Sequence, residues 1–189
     1  AGKSGIADVR YLDTEHREFP VGEVKLTNEQ MIQMLDIKPD AVTTRTSLMG
    51  MLAMKEALDD ANLTREDIHR AAFVSGTTVG GMDKTEQYYL DFINNDKKNK
   101  YIVVHDCGTC SEMICDYFGD FAFVTSVSTA CSSAANAIIR GAAMIRAGLF
   151  DIAVVGGSEC LTKFHLNGFN SLKILDTELC RPFDETRSG

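Results

Sequence analysis

The sequence predicts an α/β fold, and three consecutive stretches carry that prediction. FAFVTSVS (121–128) is rich in β-branched and aromatic residues and reads as a strand. CSSAANAIIRGAAMIRAG (131–148) reads as an Ala- and Gly-rich helix with Gly148 as its stop. DIAVVGGSE (151–159) is an almost uninterrupted apolar run, the kind of strand buried on both faces. Strand, helix and strand in that order imply a βαβ crossover and parallel pairing.

The other elements follow in chain order. Residues 1–44 are polar and loop-rich, with Pro20, Pro39 and one short helix expected near 28–35. In TSLMGMLAMKEALDDANL (46–63), Leu48, Met51, Leu52, Ala57, Leu58 and Ala61 recur at helical spacing and form an apolar stripe. Thr46 or Ser47 is the expected cap. Thr64 is placed to cap a short turn ending near Ile68. AAFVSGTT (71–78) reads as a buried strand running into the Gly-rich loop TTVGGMDK, and a helix is expected through Tyr88, Tyr89 and Phe92. NNDKKNK (94–100) is a solvated charged loop. CGTCSEMICDYFG (107–119) predicts a helix stopped by Gly119, residues 165–175 another helix, and CRPFDETRSG a closing loop. With no repeat, low-complexity tract or linker, one α/β unit is expected, and the ending in a loop suggests a piece of a longer polypeptide.

Composition narrows the function. The 189 residues suffice for one large domain or part of a bigger one, and 44% are apolar. A net charge of −8 argues against a nucleic-acid partner, which needs clustered Lys and Arg. No apolar run has the length of a membrane span, and AGKSGIADVRYLD lacks a signal-peptide core. The six cysteines are too few for a disulfide scaffold and are read as reduced thiols in the cytoplasm. His105, Cys107, Cys110 and Cys115 crowd one turn without a distant second ligand pair. Neither metal nor cofactor is expected.

Cys131 carries the chemical question. It follows a predicted strand and opens a predicted helix. A helix N-terminus offers unpaired N–H groups and a positive dipole end, both of which favour a thiolate over a thiol. The thiolate is the nucleophile, and the same N–H groups suit an oxyanion. Ala130, Ser132, Ser133, Ala134 and Ala135 leave room for a substrate arm and for close packing. A lone cysteine in an Ala-rich helix is more often a buried structural one, behaving as a small hydrophobe, so geometry alone does not settle its role.

The wider pattern separates these readings. VSTACSSAANAI, AAMIRAGLFDIAVVGGSE, LNGFNSLKIL and CRPFDETRSG, in this order and spacing, resemble the β-ketoacyl-acyl carrier protein synthases, condensing enzymes of the thiolase-like superfamily. The resemblance is strong over 45–189, includes GKSGI, and is loose over 6–44. It implies a thiolase-like fold, the N-terminal half of a layered αβαβα architecture incomplete at both ends, with 1–189 forming one N-terminal synthase domain.

By that resemblance Cys131 takes an acyl group as a thioester, and a malonyl carrier thioester loses carbon dioxide and attacks it. The product is a 3-ketoacyl thioester of fatty acid or polyketide-type synthesis. A pair of histidines and a second oxyanion N–H come from the family's second half, so this chain alone is expected not to condense. His16, His69, His105 and His165 do not match those histidines. Thr78, Gly80 and Gly81 in TTVGGM resemble the Gly-rich segment near the acyl pocket, with a plain turn as the other reading. Phe183, with Asp184, matches a loop near the active site, and Glu159 a buried polar support.

The implied partners are acyl carrier protein, acyl and malonyl thioesters, and a second copy paired through FAFVTSV. The unusual stretch up to Ala41 leaves the substrate class open. Alternatives are a chain-length or carrier-docking partner subunit lacking catalysis, a thiolase or priming enzyme, and a non-catalytic scaffold. VVGGSE lacks the spacing of a dinucleotide-binding turn.

Overall fold

The computed structural model describes residues 2–95 and 100–189. The charged loop expected at 94–100 therefore falls largely outside the described residues. The chain forms two compact units, one from residues 28–160 and one from 1–27 with 161–189.

The larger unit is built on three parallel strands, β1 (Ala72–Gly76), β2 (Phe123–Val127) and β3 (Ala153–Gly157). Their order is β2-β1-β3, so the expected β2-to-β3 crossover passes over a central strand and the two are not neighbours. Every residue of β1 is buried, as its apolar AFVSG requires. β3 is only half-buried, contrary to the expectation for DIAVVGGSE, because among the described residues it pairs with β1 alone and forms an edge.

Among the described residues six helices accompany the sheet: α1 (Asn28–Met34), α2 (Arg45–Asp60), α3 (Arg65–Ile68), α4 (Met82–Asn95), α5 (Cys107–Phe118) and α6 (Ser133–Arg146). Ala137 and Met144 of α6 bury against Ala72 and Val74 of β1, forming the core with Phe123, Val127, Phe150, Ala153 and Val155 around it. Removing this apolar surface from water is the main stabilising term.

The cap of α2 is Thr44, not Thr46 or Ser47. Thr44 holds extended backbone and accepts the Ser47 N–H at 3.0 Å, while Ser47 Oγ accepts the Thr44 N–H at 3.1 Å. Only a residue outside helical φ/ψ can aim its side chain back at the first turn. Gly119 (φ 105°) and Gly148 (φ 67°) end their helices in backbone that disfavours a side chain, as expected.

The smaller unit contains α7 (Lys163–Ser171) and a short antiparallel bridge in which Ala7 and Val21 exchange N–H···O bonds of 3.0 and 2.8 Å. Glu23 organises its loop by accepting the N–H groups of Arg10, Tyr11 and Leu12 at 2.8, 2.9 and 2.9 Å. Burial alone would push this carboxyl up, but the three N–H donors and Lys25 outweigh it and hold it below the usual range. No helix among the described residues is long and apolar enough to cross a membrane.

Candidate functional site

Cys131 stands on a tight turn between β2 and α6. Ala130, just before it, is in the left-handed region at φ 52°, sparsely populated by residues with a side chain. The turn is closed by Ser132 N–H to Thr129 O at 3.3 Å and Ser133 N–H to Ala130 O at 3.1 Å. Ser133 Oγ, buried, accepts the Thr129 N–H at 2.9 Å and donates to Ala130 O at 2.8 Å. Asn136 Nδ2 donates to Thr129 Oγ1 at 2.8 Å. These bonds leave Cys131 exposed on the turn.

The turn also moves the helix start. α6 begins at Ser133 with Ser132 as its N-cap, so Cys131 precedes the cap instead of opening the helix. Ser132 makes no capping bond because its hydroxyl donates to Thr129 O at 2.8 Å.

The small residues around Cys131 now have a packing reason. A Cβ on Gly76 would lie 2.6 Å from the carbonyl carbon and oxygen of Ser133. One on Gly157 would lie 2.8 Å from Ala134 Cβ, and one on Gly141 would lie 2.3 Å from Val155 Cγ1. The first turn of α6 thus rests directly on strand backbone, which fixes the height of Cys131 above the sheet.

The segments following the three strands meet beside this turn. In open parallel sheets, ligands bind outside the carboxyl ends of the strands. Thr78, in the loop after β1, bonds Ala130 O at 3.1 Å and shares a hydrogen bond with Ser133 Oγ at 2.9 Å. Glu159, two residues past β3, accepts the N–H of Thr78, the N–H of Val79 at 3.0 Å and the hydroxyl of Thr77 at 3.2 Å. Glu159 is the expected polar support, but it is exposed, because its carboxylate clamps a surface loop. Neither the clamp nor the Thr78–Ser133 bond has a spacing signature; a Glu two residues after a strand ending in Gly-Gly was the available hint.

The other predicted site residues are placed differently. Gly80 (φ 54°) and Gly81 are buried, and Cβ atoms there would lie 2.5 Å from His105 O and 2.0 Å from Val104 O. They let the loop lie against residues 104–105, whereas Thr78 is exposed and touches the Cys131 turn. Phe183 belongs to the smaller unit, where it is fully exposed at φ 65°.

Electrostatics separate the cysteines. Cys110 and Cys160 are buried, and burial pushes their thiols up to about 11 and about 12. Burial also raises half-buried Cys107. These thiols stay protonated at neutral pH and are poor nucleophiles. Cys131 and Cys180 are exposed. Around HDCGTC the donors serve local structure: Asp106 Oδ1 accepts the Gly108 N–H at 2.6 Å, His105 Nδ1 lies 2.8 Å from Thr85 Oγ1, and Cys110 Sγ lies 3.3 Å from Thr44 Oγ1. His16, His69 and His165 likewise bond neighbours, Glu18, Asp120 O and Thr162.

Known proteins are similar to this chain in sequence and fold. Nodulation protein E of Rhizobium leguminosarum bv. trifolii is 28% identical over 195 residues, taking in 100% of this chain and 48% of that protein. The 3-oxoacyl-acyl carrier protein synthase 1 of Haemophilus influenzae is 26% identical over 204 residues, taking in 100% of this chain and 49% of that protein. The chain spans about half the length of the curated relatives it matches. The solved ishigamide ketosynthase/chain length factor superposes with a TM-score of 0.84 at 25% identity, covering 100% of this chain and 48% of that one. The parallel sheet with its covering helices is thus part of the thiolase-like ketosynthase fold. With the N-terminal domain of the β-ketoacyl synthases matched over residues 11–189, the chain belongs to the β-ketoacyl synthase family.

Proposed function

We propose that this chain is the nucleophile-bearing part of a condensing acyltransferase, with Cys131 as the acyl acceptor. The observation that carries the reading is an exposed cysteine on a turn where the segments after three parallel strands converge, in a chain of this family. The Cys131 thiolate attacks the carbonyl carbon of an acyl thioester, the C–S bond to the carrier breaks, and the carrier thiolate leaves and takes a proton. A malonyl carrier thioester then loses carbon dioxide, and the electron pair left on its α-carbon attacks the Cys131 thioester. A C–C bond forms, the bond to Cys131 breaks, and a 3-ketoacyl thioester is released. The four histidines here bond locally, so the reading takes the groups that assist decarboxylation from the half of the family polypeptide that residues 1–189 do not cover. Acyl carrier protein is the proposed partner, in a dimer paired through β2, acting in fatty acid or polyketide-type synthesis within the cytoplasm. Residues 1–189 act as one N-terminal domain, with Thr78, Gly80 and Gly81 near the acyl site.

The test follows carbon dioxide release and 3-keto product from acyl and malonyl carrier thioesters in the full-length protein. Cys131→Ala removes the product; unchanged product in that variant refutes the reading. A second reading, a chain-length partner subunit, draws on the ketosynthase/chain length factor named above. An exposed cysteine at position 131 favours the catalytic reading, since such partners usually lack it.

A further inference from the structure

We infer that Thr78 and Glu159 are positioning residues for Cys131, an inference that rests on the nucleophile role proposed above. Its basis is a continuous path of hydrogen bonds running from the end of β3 to the backbone immediately before the cysteine.

The path ends on the Ala130 carbonyl, which draws three donors: Ser133 N–H at 3.1 Å, Ser133 Oγ at 2.8 Å and Thr78 Oγ1 at 3.1 Å. Such a carbonyl has two lone pairs, so the Thr78 hydroxyl is shared between Ala130 O and Ser133 Oγ. Ala130 is the residue held at φ 52°. A left-handed alanine persists only where its surroundings over-determine it. The peptide between Ala130 and Cys131 sets where the cysteine Cα–Cβ bond points. Whatever holds Ala130 therefore aims the thiol.

Thr78 can hold Ala130 only if its own loop is fixed, and Glu159 fixes it. Among the described residues the Glu159 hydrogen bonds go to Thr77, Thr78 and Val79, and none to residues 129–133. Its influence on Cys131 thus passes through Thr78. One carboxylate oxygen takes the Thr78 N–H, and the other takes the Val79 N–H and the Thr77 hydroxyl. Glutamine keeps one oxygen and turns an NH₂ toward donors at the other, so it cannot reproduce the clamp.

The experiment measures iodoacetamide labelling of Cys131 at neutral pH in the full-length protein, read peptide by peptide, without substrate. Loss of one such hydrogen bond corresponds to a factor of about 2–10. Thr78→Val and Glu159→Gln are expected to slow Cys131 labelling by about that factor. Thr78→Ser, which keeps the hydroxyl, restores the wild-type rate, and exposed Cys180 labels alike in every variant. Wild-type Cys131 rates in Thr78→Val and Glu159→Gln overturn the inference, as does a Thr78→Ser variant as slow as Thr78→Val. Should Thr78→Val unfold, buried Cys110 and Cys160 become labelled, and Glu159→Gln with Thr78→Ser then decides. Because no substrate is present, the comparison is valid even if the wild-type protein transfers no acyl group, a result that would count against the catalytic reading alone.

Discussion

Gly76→Ala tests how the sheet holds the Cys131 turn. Gly76 ends β1, between Val127 of β2 and Gly157 of β3 in register. Its added Cβ would lie 2.6 Å from the Ser133 carbonyl carbon and oxygen and 2.7 Å from Ala134 N. An unstrained contact needs about 3.5 Å, so the start of α6 must lift by roughly 0.9 Å. Every offending atom is backbone, so no side-chain rotation absorbs the shift. Overpacking of this kind costs about 1–3 kcal/mol, and rigid surroundings place Gly76→Ala at the upper end. A displacement near 1 Å at a reacting group lowers turnover by about 100-fold. The assay is urea denaturation of the full-length protein, with the denaturant slope checked for constancy, alongside acyl transfer. A variant within about 0.5 kcal/mol of wild type, a size usual for surface substitutions, would refute the packing argument.

The other substitutions separate side-chain from backbone effects and give a sign in pH. Gly141→Ala also overpacks, but onto the Val155 side chain at 2.3 Å, so Val155→Ala should rescue it with a coupling of about 1–2 kcal/mol in a double-mutant cycle; a coupling of zero would contradict this. Asp83 accepts the Arg45 N–H at 3.0 Å through Oδ2, while its other oxygen is buried with no hydrogen-bond partner among the described residues, and burial raises its pKa. The folded state thus holds this proton to higher pH than the unfolded chain, whose carboxyl titrates near its ordinary value of 3.8, so stability falls as pH rises from there through the folded pKa. Asp83→Asn keeps an acceptor for Arg45 and should raise stability at pH 7 by about 1 kcal/mol, with the gain vanishing toward acid in pH-dependent melts; equal gains at all pH values would contradict it.

Local signals in the sequence located most elements. The apolar run AFVSG, the Ala- and Gly-rich helix, and Gly119 and Gly148 each act within a few residues, so their roles were readable. What escaped depends on distant partners or on backbone angles. Thr44, and not Thr46, caps α2 because of its extended φ/ψ. The edge position of β3 depends on which strand lies beside it. The helix start at Ser133 depends on the left-handed Ala130. Residues 11–44, where the family resemblance is loose, lie within the family match; there Glu23 organises the chain through backbone N–H groups that carry no residue signature. Cys131 was legible as a cysteine between strand and helix. Its tie to Thr78 and Glu159 was not, since those residues come from loops 53 and 28 positions away.

The most direct test of the central claim is to incubate the full-length protein with an acyl thioester alone and map the acyl mass to a peptide. Cys131 is exposed, while Cys110 and Cys160 are buried protonated thiols. The account predicts one acyl group on the Cys131 peptide, lost in Cys131→Ala and released by hydroxylamine. An acyl group on Cys180 or another residue, or none on a protein that still forms 3-keto product, would contradict it.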